Sequence, residues 1–324
     1  LTISQLTQIT ANAGWNVEPT WSADGTKLAF SSNRSGNYDI WTMNADGSNL
    51  QNITNNAAYD GKPAWSPDGS KVAFVSDRSG NKDIWISNAD GSGTPLQLTN
   101  LTVTDTDPAW SPDGTKIAFA SDRSGSFDIW IVNADGTGTI SKLTSSEAYD
   151  KEPSWSQFGI AFTSDRSGNR DIWMVSDVNN PLQVQLTTNS AEDKEPCWAP
   201  VAIPLSDGSR RPLIAFTSQR SGNADIFVMD TDGIDQSKSL TDYTNVDCNP
   251  AWSPDGTKAA YASFKDGNYD IWVMTFAINT TLLSTPTLPS AGQITLIYPL
   301  SSDNVGTIRP NFKWTGLQNV TDYH

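Results

Sequence analysis

Carboxylates at fixed offsets from tryptophan are the main candidates for chemistry in this chain. Asn16, Asp60, Asp105, Asp150, Asp193 and Asp247 each stand five residues before a Trp, at positions 21, 65, 110, 155, 198 and 252. Two residues further on, Glu18, Asp107, Glu152 and Glu195 add more negative charge. If the repeats close into a ring, both columns gather at one mouth of a central channel. Hard cations prefer several oxygen ligands, so such a mouth suits Ca²⁺ or a Lys/Arg segment of a protein partner. The competing reading has each Asp capping a turn of its own repeat through backbone N–H groups. Recurrence in almost every repeat favours this reading, because a structural need repeats with the fold.

A second column contains Arg34, Arg78, Arg123, Arg166, Arg220 and Lys265, each five residues before the Asp of an Asp-Ile-Trp/Phe motif. The spacing predicts an ion pair within one hairpin loop rather than a ring of recognition arginines. The recurring Trp residues read as core packing. Cys197 and Cys248 fall in neighbouring repeats near one face. They predict either a disulfide closing a loop of roughly 50 residues or two buried free thiols. The single His is His324, which excludes a Ser-His-Asp triad inside the repeats and a multi-His metal site. Acidic residues alone, without geometry, do not make a glycosidase.

Short β segments must position these columns. Lys71–Ser76 and Asp128–Asn133 are β-branched and aromatic, and Ser-Pro-Asp-Gly, Arg-Ser-Gly-Asn and Asn-Ala-Asp-Gly turns bound such runs. Pro-x-Trp-Ser, Lys-x-Ala-Phe, Asp-Ile-Trp and a final Leu-Thr segment give four strands in about 45 residues, the size of one propeller blade. The Trp spacings of 44, 45, 45, 43 and 54 make six repeats, the long one carrying an insertion. The chain is therefore expected to be an all-β, six-bladed propeller. No Leu-Thr strand follows the sixth repeat, so Leu6-Thr-Gln-Ile-Thr10 is expected to supply its outer strand and close the ring.

The run P-x-W-S-P-D-G-T-K-I-A-F, then S-D-R-S-G-x-x-D-I-W, then N-A-D-G and L-T, resembles the propeller repeats of the TolB family over about residues 6 to 276. That resemblance implies an exported, periplasmic type of binding module. Blade four departs from it in its turns, with Ser156-Gln-Phe-Gly159 and Val178-Asn-Asn-Pro181. Similar propellers precede hydrolase domains in prolyl oligopeptidase-like enzymes, but no Gly-x-Ser-x-Gly elbow occurs here.

Residues 1–283 are expected to form the propeller, 284–293 a linker with two prolines, and 294–324 a short C-terminal β extension. Ile294 to Pro299 and Pro310 to Trp314 resemble the first strands of an immunoglobulin-like or fibronectin-like domain, too few to complete a sandwich. They suit pairing with identical subunits, and so a homo-polymer. A formal charge of −15 repels polyanions and argues against nucleic acid, and the most apolar stretch, Ile271 to Ile278, is too short to span a bilayer. The start at Leu1 fits a removed leader, and Asn33, Asn52, Asn100, Asn279 and Asn319 begin glycosylation sequons. The expected function is a non-catalytic interaction module, extracellular, cell-surface or periplasmic, for protein or glycan. Self-assembly into a filament is the structural alternative, and polysaccharide chemistry at the channel mouth the enzymatic one.

Overall fold

A computed structural model describes residues 1–277, apart from 12–13, 205–209, 232–235, 242–243 and 266. The described chain forms six four-stranded antiparallel sheets and one two-residue hairpin, Ile203–Pro204 with Arg210–Arg211. The expected linker 284–293 and extension 294–324 lie outside the described residues. Among the described residues no helix is long and apolar enough to cross a membrane.

In blade two, Asp60–Trp65 pairs with Lys71–Ser76, then Asp83–Asn88, then Leu96–Gln97, and the other blades repeat this order. The second strand shows why the blades stack. Every residue of Lys71–Ser76 after Lys71 is buried, because both sides of a blade face another blade. Large and small side chains alternate along it, and Phe30, Phe74, Phe119, Phe162 and Phe216 are all fully buried. Burying each such side chain is worth about 1.5–3 kcal/mol. The repeated Trp joins neighbouring blades: Trp21 Nε1 donates to Ala251 O at 3.1 Å, and Trp110 Nε1 to Ala64 O at 3.0 Å.

Ring closure follows the expected residues. Ile3–Gln8 pairs antiparallel with Asn268–Phe276, placing Leu6 opposite Met274 and Gln8 opposite Trp272. Thr10 then does for blade six what Thr54, Thr99, Thr144, Thr187 and Thr241 do for the others. Its Oγ1 accepts the N–H of Ile271 at 2.9 Å, as Thr99 Oγ1 accepts that of Ile84 at 3.0 Å. The same hydroxyl donates to Asp270 Oδ1 at 2.8 Å.

Each innermost strand carries a β-bulge at its X-Pro pair, where the register shifts between Val17 and Thr20, Gly61 and Ala64, and Thr106 and Ala109. Proline has no N–H to give the ladder, so pairing breaks at that point. The residue before each Pro takes a left-handed backbone: Glu18, Lys62, Asp107, Glu152, Glu195 and Asn249 have φ between 54° and 58°. For a non-glycine residue this conformation costs about 1 kcal/mol. Six bulges thus aim six side chains out of the ladder.

Candidate functional site

Those six bulge residues, with the prolines behind them, line a cavity of about 150 Å³ at the propeller axis. The ring reads Glu18, Lys62, Asp107, Glu152, Glu195, Asn249. Glu18, Asp107, Glu152 and Glu195 were expected at the channel mouth and are there. Lys62 and Asn249 were missed, although the X-Pro pair marks them in the sequence as clearly as the others.

Most of these carboxylates have one oxygen committed to the scaffold. Glu18 Oε2 accepts the Ser31 hydroxyl at 2.6 Å and the backbone N–H of Lys62, in the next blade, at 2.8 Å. Glu152 Oε2 likewise accepts Thr163 Oγ1 at 2.8 Å and Glu195 N at 2.9 Å. Glu195 Oε2 accepts Thr217 Oγ1 at 2.7 Å and Asn249 N at 3.0 Å. Each carboxylate thereby clips its blade to the next and keeps its other oxygen for the axis.

Lys62 reaches across this ring, with Nζ 3.2 Å from Glu18 and 3.4 Å from Asp107. Lys194 Nζ lies 3.5 Å from Glu195. Burial works against the Lys62 ammonium, but Glu18, Asp107, Glu152 and Glu195 outweigh it and hold its pKa well above the usual lysine value. Burial pushes the Glu152 carboxyl up, and repulsion from Glu195 and Asp107 adds to it. Burial also opposes ionisation of Glu195, but Lys194 and Lys62 overcome it and bring that carboxyl below its usual value. The mouth is thus an acidic ring that is only partly neutralised from within.

Asp60, Asp105, Asp150, Asp193 and Asp247 stand apart from this ring. They are at most 3% exposed, and Asp60 is an ion-pair partner rather than a lining residue. Arg78 Nη2 meets both carboxylate oxygens of Asp60 at 2.9 and 2.8 Å, its Nε donates to Ser76 Oγ at 2.8 Å, and its guanidinium lies over Phe74 and Trp85. Arg123 with Asp105, Arg166 with Asp150 and Arg220 with Asp193 repeat the pair. This corrects two expectations. Asp60, Asp105, Asp150 and Asp193 pair with arginines instead of lining the mouth or capping a turn. The Arg column does not bridge to the Asp five residues ahead, because a serine takes that carboxylate instead: Ser79 Oγ donates to Asp83 Oδ2 at 2.5 Å. The carboxylate that each arginine meets lies on the first strand of its own blade, 18 residues back for Arg78 and Arg123, 16 for Arg166 and 27 for Arg220.

Cys197 and Cys248 are free thiols, so the disulfide alternative is not realised. Burial pushes the Cys197 thiol up to about 11, and burial followed by the nearby Glu195 raises Cys248 further. Both are protonated at neutral pH and poor nucleophiles. No group of three or more His, Cys, Asp or Glu among the described residues is arranged to hold a metal ion. The Lys62 ammonium stands between Glu18 and Asp107, inside the mouth that was expected to suit Ca²⁺ or a Lys/Arg segment of a partner.

Residues 51–205 match the TolB beta propeller domain family. The chain carries a TolB-like propeller. A stretch of 64 residues is 39% identical to the Tol-Pal system protein TolB of Nitrosomonas europaea, covering 20% of this chain and 15% of that relative. A structure of TolB from Agrobacterium tumefaciens superposes with a TM-score of 0.63 at 23% identity, over 84% of this chain and 97% of that one. A gluconolactonase from Xanthomonas campestris gives 0.63 at 14% identity, over 85% and 91%. At such identities the structural likeness speaks for the fold alone. The TolB-like repeat explains why the bulge, the Arg–Asp pair and the Thr–Asp pair recur, whereas the ring chemistry varies from blade to blade.

Proposed function

We propose that this propeller is a non-catalytic interaction module of the cell envelope or cell surface, and that its acidic ring receives a basic segment of a protein partner. One observation carries this reading: four carboxylates and a single lysine converge on one axial opening, held there by six strained bulges. A scaffold that repeats a left-handed non-glycine residue at every blade has fixed those side chains before any ligand arrives, which lowers the ordering cost of binding. The relative's printed name places it in a Tol-Pal system, which fits an envelope partner, periplasmic or extracellular. Glu152 and Glu195 are paired carboxylates with pKa values pushed apart, a pattern that also serves acid–base catalysis. Here Lys62 and Lys194 and the next blade's N–H groups account for the difference without a substrate.

The test is the affinity of the purified chain for a penta-arginine peptide, compared with that of Glu152→Gln and Asp107→Asn, which preserve shape and hydrogen bonding. The reading expects binding that weakens with salt and falls about 10-fold in the double variant, roughly 1.4 kcal/mol. Equal affinities would remove the ring as the contact. Self-assembly through residues 294–314 stands as a separate proposal, supported by their alternating apolar pattern. Sedimentation of the chain with and without residues 286–324 tests it: self-association surviving the truncation would sink it.

A further inference from the structure

The sequons at Asn33, Asn52 and Asn100 fall on described residues, and their surroundings separate them, whereas Asn279 and Asn319 lie outside the described residues. Asn33 fills a column of the repeat. Its Oδ1 accepts the backbone N–H of Trp15 at 2.7 Å, as Asp77 Oδ1 accepts that of Tyr59 and Asp122 Oδ1 that of Thr104, both at 2.9 Å. Asn52 fills another. Its Nδ2 donates to Asp39 Oδ2 at 2.9 Å, where Gln97 and Gln185 donate to Asp83 and Asp171 at 3.0 Å. Its Oδ1 accepts the backbone N–H groups of Thr54 and Asn55. Both amides are half-buried parts of the scaffold, and their sequons follow from the repeat.

Asn100 stands differently. Leu96–Gln97 is the outermost strand of blade two and Asp105–Trp110 the innermost strand of blade three, so the segment 100–104 crosses between blades with Asn100 at its outer end. Asn100, Leu101 and Thr102 are all exposed. Neither the Asn100 amide nor the Thr102 hydroxyl bonds to another described residue. The backbone beside them is nevertheless pinned, since Asn81 Nδ2 donates to Leu101 O at 2.8 Å and to Val103 O at 2.7 Å. The middle residue is not proline, which the acceptor motif forbids. An amide nitrogen is a weak nucleophile, because its lone pair is delocalised into the carbonyl. A transferase must therefore hold both ends of the acceptor amide, and only an amide not already spent on the fold can be given over to it.

We propose that Asn100 is an N-glycosylation site of the folded chain and that Asn33 and Asn52 are not. The donor class is an oligosaccharide linked to a polyprenyl diphosphate. The C1–O bond to the diphosphate breaks, and its electron pair leaves on the diphosphate. A bond forms between Asn100 Nδ2 and C1, and the amide gives one proton to a base of the transferase. The bulky, solubilising product stands on an exposed loop, where the fold has room for it.

The test offers the folded full chain to an oligosaccharyltransferase with polyprenyl-diphosphate-linked chitobiose. A short Asn-Leu-Thr peptide in the same tube reports that the enzyme is active, and peptide mass spectrometry maps the sites. Chitobiose is expected on Asn100 and on neither Asn33 nor Asn52, and Thr102→Ala should lose it. Thermal melts probe the same distinction: Asn100→Gln is expected to melt with the wild type and Asn52→Ala below it. The proposal is overturned by a bare Asn100 beside a modified peptide, by sugar on Asn33 or Asn52 of the folded chain, or by modification that survives Thr102→Ala. A lowered midpoint for Asn100→Gln, or an unchanged one for Asn52→Ala, overturns it as well.

Discussion

Arg78, in the turn after Lys71–Ser76, and Asp60, on the neighbouring strand, form a buried ion pair in blade two: one guanidinium nitrogen bridges both carboxylate oxygens, and the Asp is 0% exposed. Burial raises the Asp60 carboxyl, and hydrogen bonds from Ser76 and Arg78 pull it back down. Replacing Arg78 by Met would strand a buried charge and is expected to cost about 3–5 kcal/mol. Asp60→Asn should cost less, because blade one already sets Asn16 against Arg34, with Nη2 2.5 Å from Asn16 Oδ1. Urea unfolding of the two variants checks the ranking, and an Arg78→Met midpoint equal to wild type would refute the structural role of the pair.

Thr10 carries the closure of the ring at a single side chain. The Thr10→Val change removes the hydroxyl that both accepts from Ile271 N–H and donates to Asp270. Leaving buried partners unsatisfied costs about 1–3 kcal/mol. Deleting residues 1–10 should cost more, since it also removes the strand paired with Asn268–Phe276. Thermal melts decide, and an unaltered midpoint for the deletion would show that the ring holds without its N-terminal strand.

Lys62 should make the ring tolerable at neutral pH. Its pKa is raised in the fold, so its stabilisation is fully present below the ordinary lysine value of 10.5 and is lost as pH rises through the higher folded one. Lys62→Gln is therefore expected to melt lower at pH 7. The gap should narrow on acidification, because Glu152, with its raised pKa, takes up a proton early and relieves the repulsion. Millimolar Ca²⁺ should raise the midpoint of Lys62→Gln and leave the wild type unchanged. A Ca²⁺ response of equal size in both proteins would show that Lys62 does not occupy the cation position.

Asp113 offers the opposite sign at an exposed turn. Hydrogen bonds from Ser111, then from the backbone and side chain of Thr115, hold its carboxyl at about 2. The stability it contributes is present above 3.8 and is lost as pH falls through about 2. Carboxyl-carbon NMR should place its titration midpoint there, and Ser111→Ala should shift that midpoint toward 3.8. A midpoint near 3.8 in the wild type would contradict the turn geometry.

The fold was legible in the sequence to the level of individual strands. The Trp, Pro, Gly and Asp columns recur because each blade must solve the same packing problem, and even Thr10 was marked by the absence of a Leu-Thr strand after Ile271. Local signals of this kind depend on neighbours close along the chain, and sequence reports such neighbours directly. The ring was legible only in part. Glu18, Asp107, Glu152 and Glu195 were singled out as charges, but which column faces the axis depends on the bulge at each X-Pro pair. One extra residue in the inner strand turns its side chains from one side to the other. Asp60, Asp105, Asp150 and Asp193 fell on the wrong side of that turn and proved to be buried partners of arginines 16 to 27 residues further along the chain. Their pairing is set by strand register, as is the position of Lys62 between Glu18 and Asp107. Composition gave the charges, whereas the closed ring decided which of them meet, because only closure brings side chains from six separate blades within ion-pair reach of one axis.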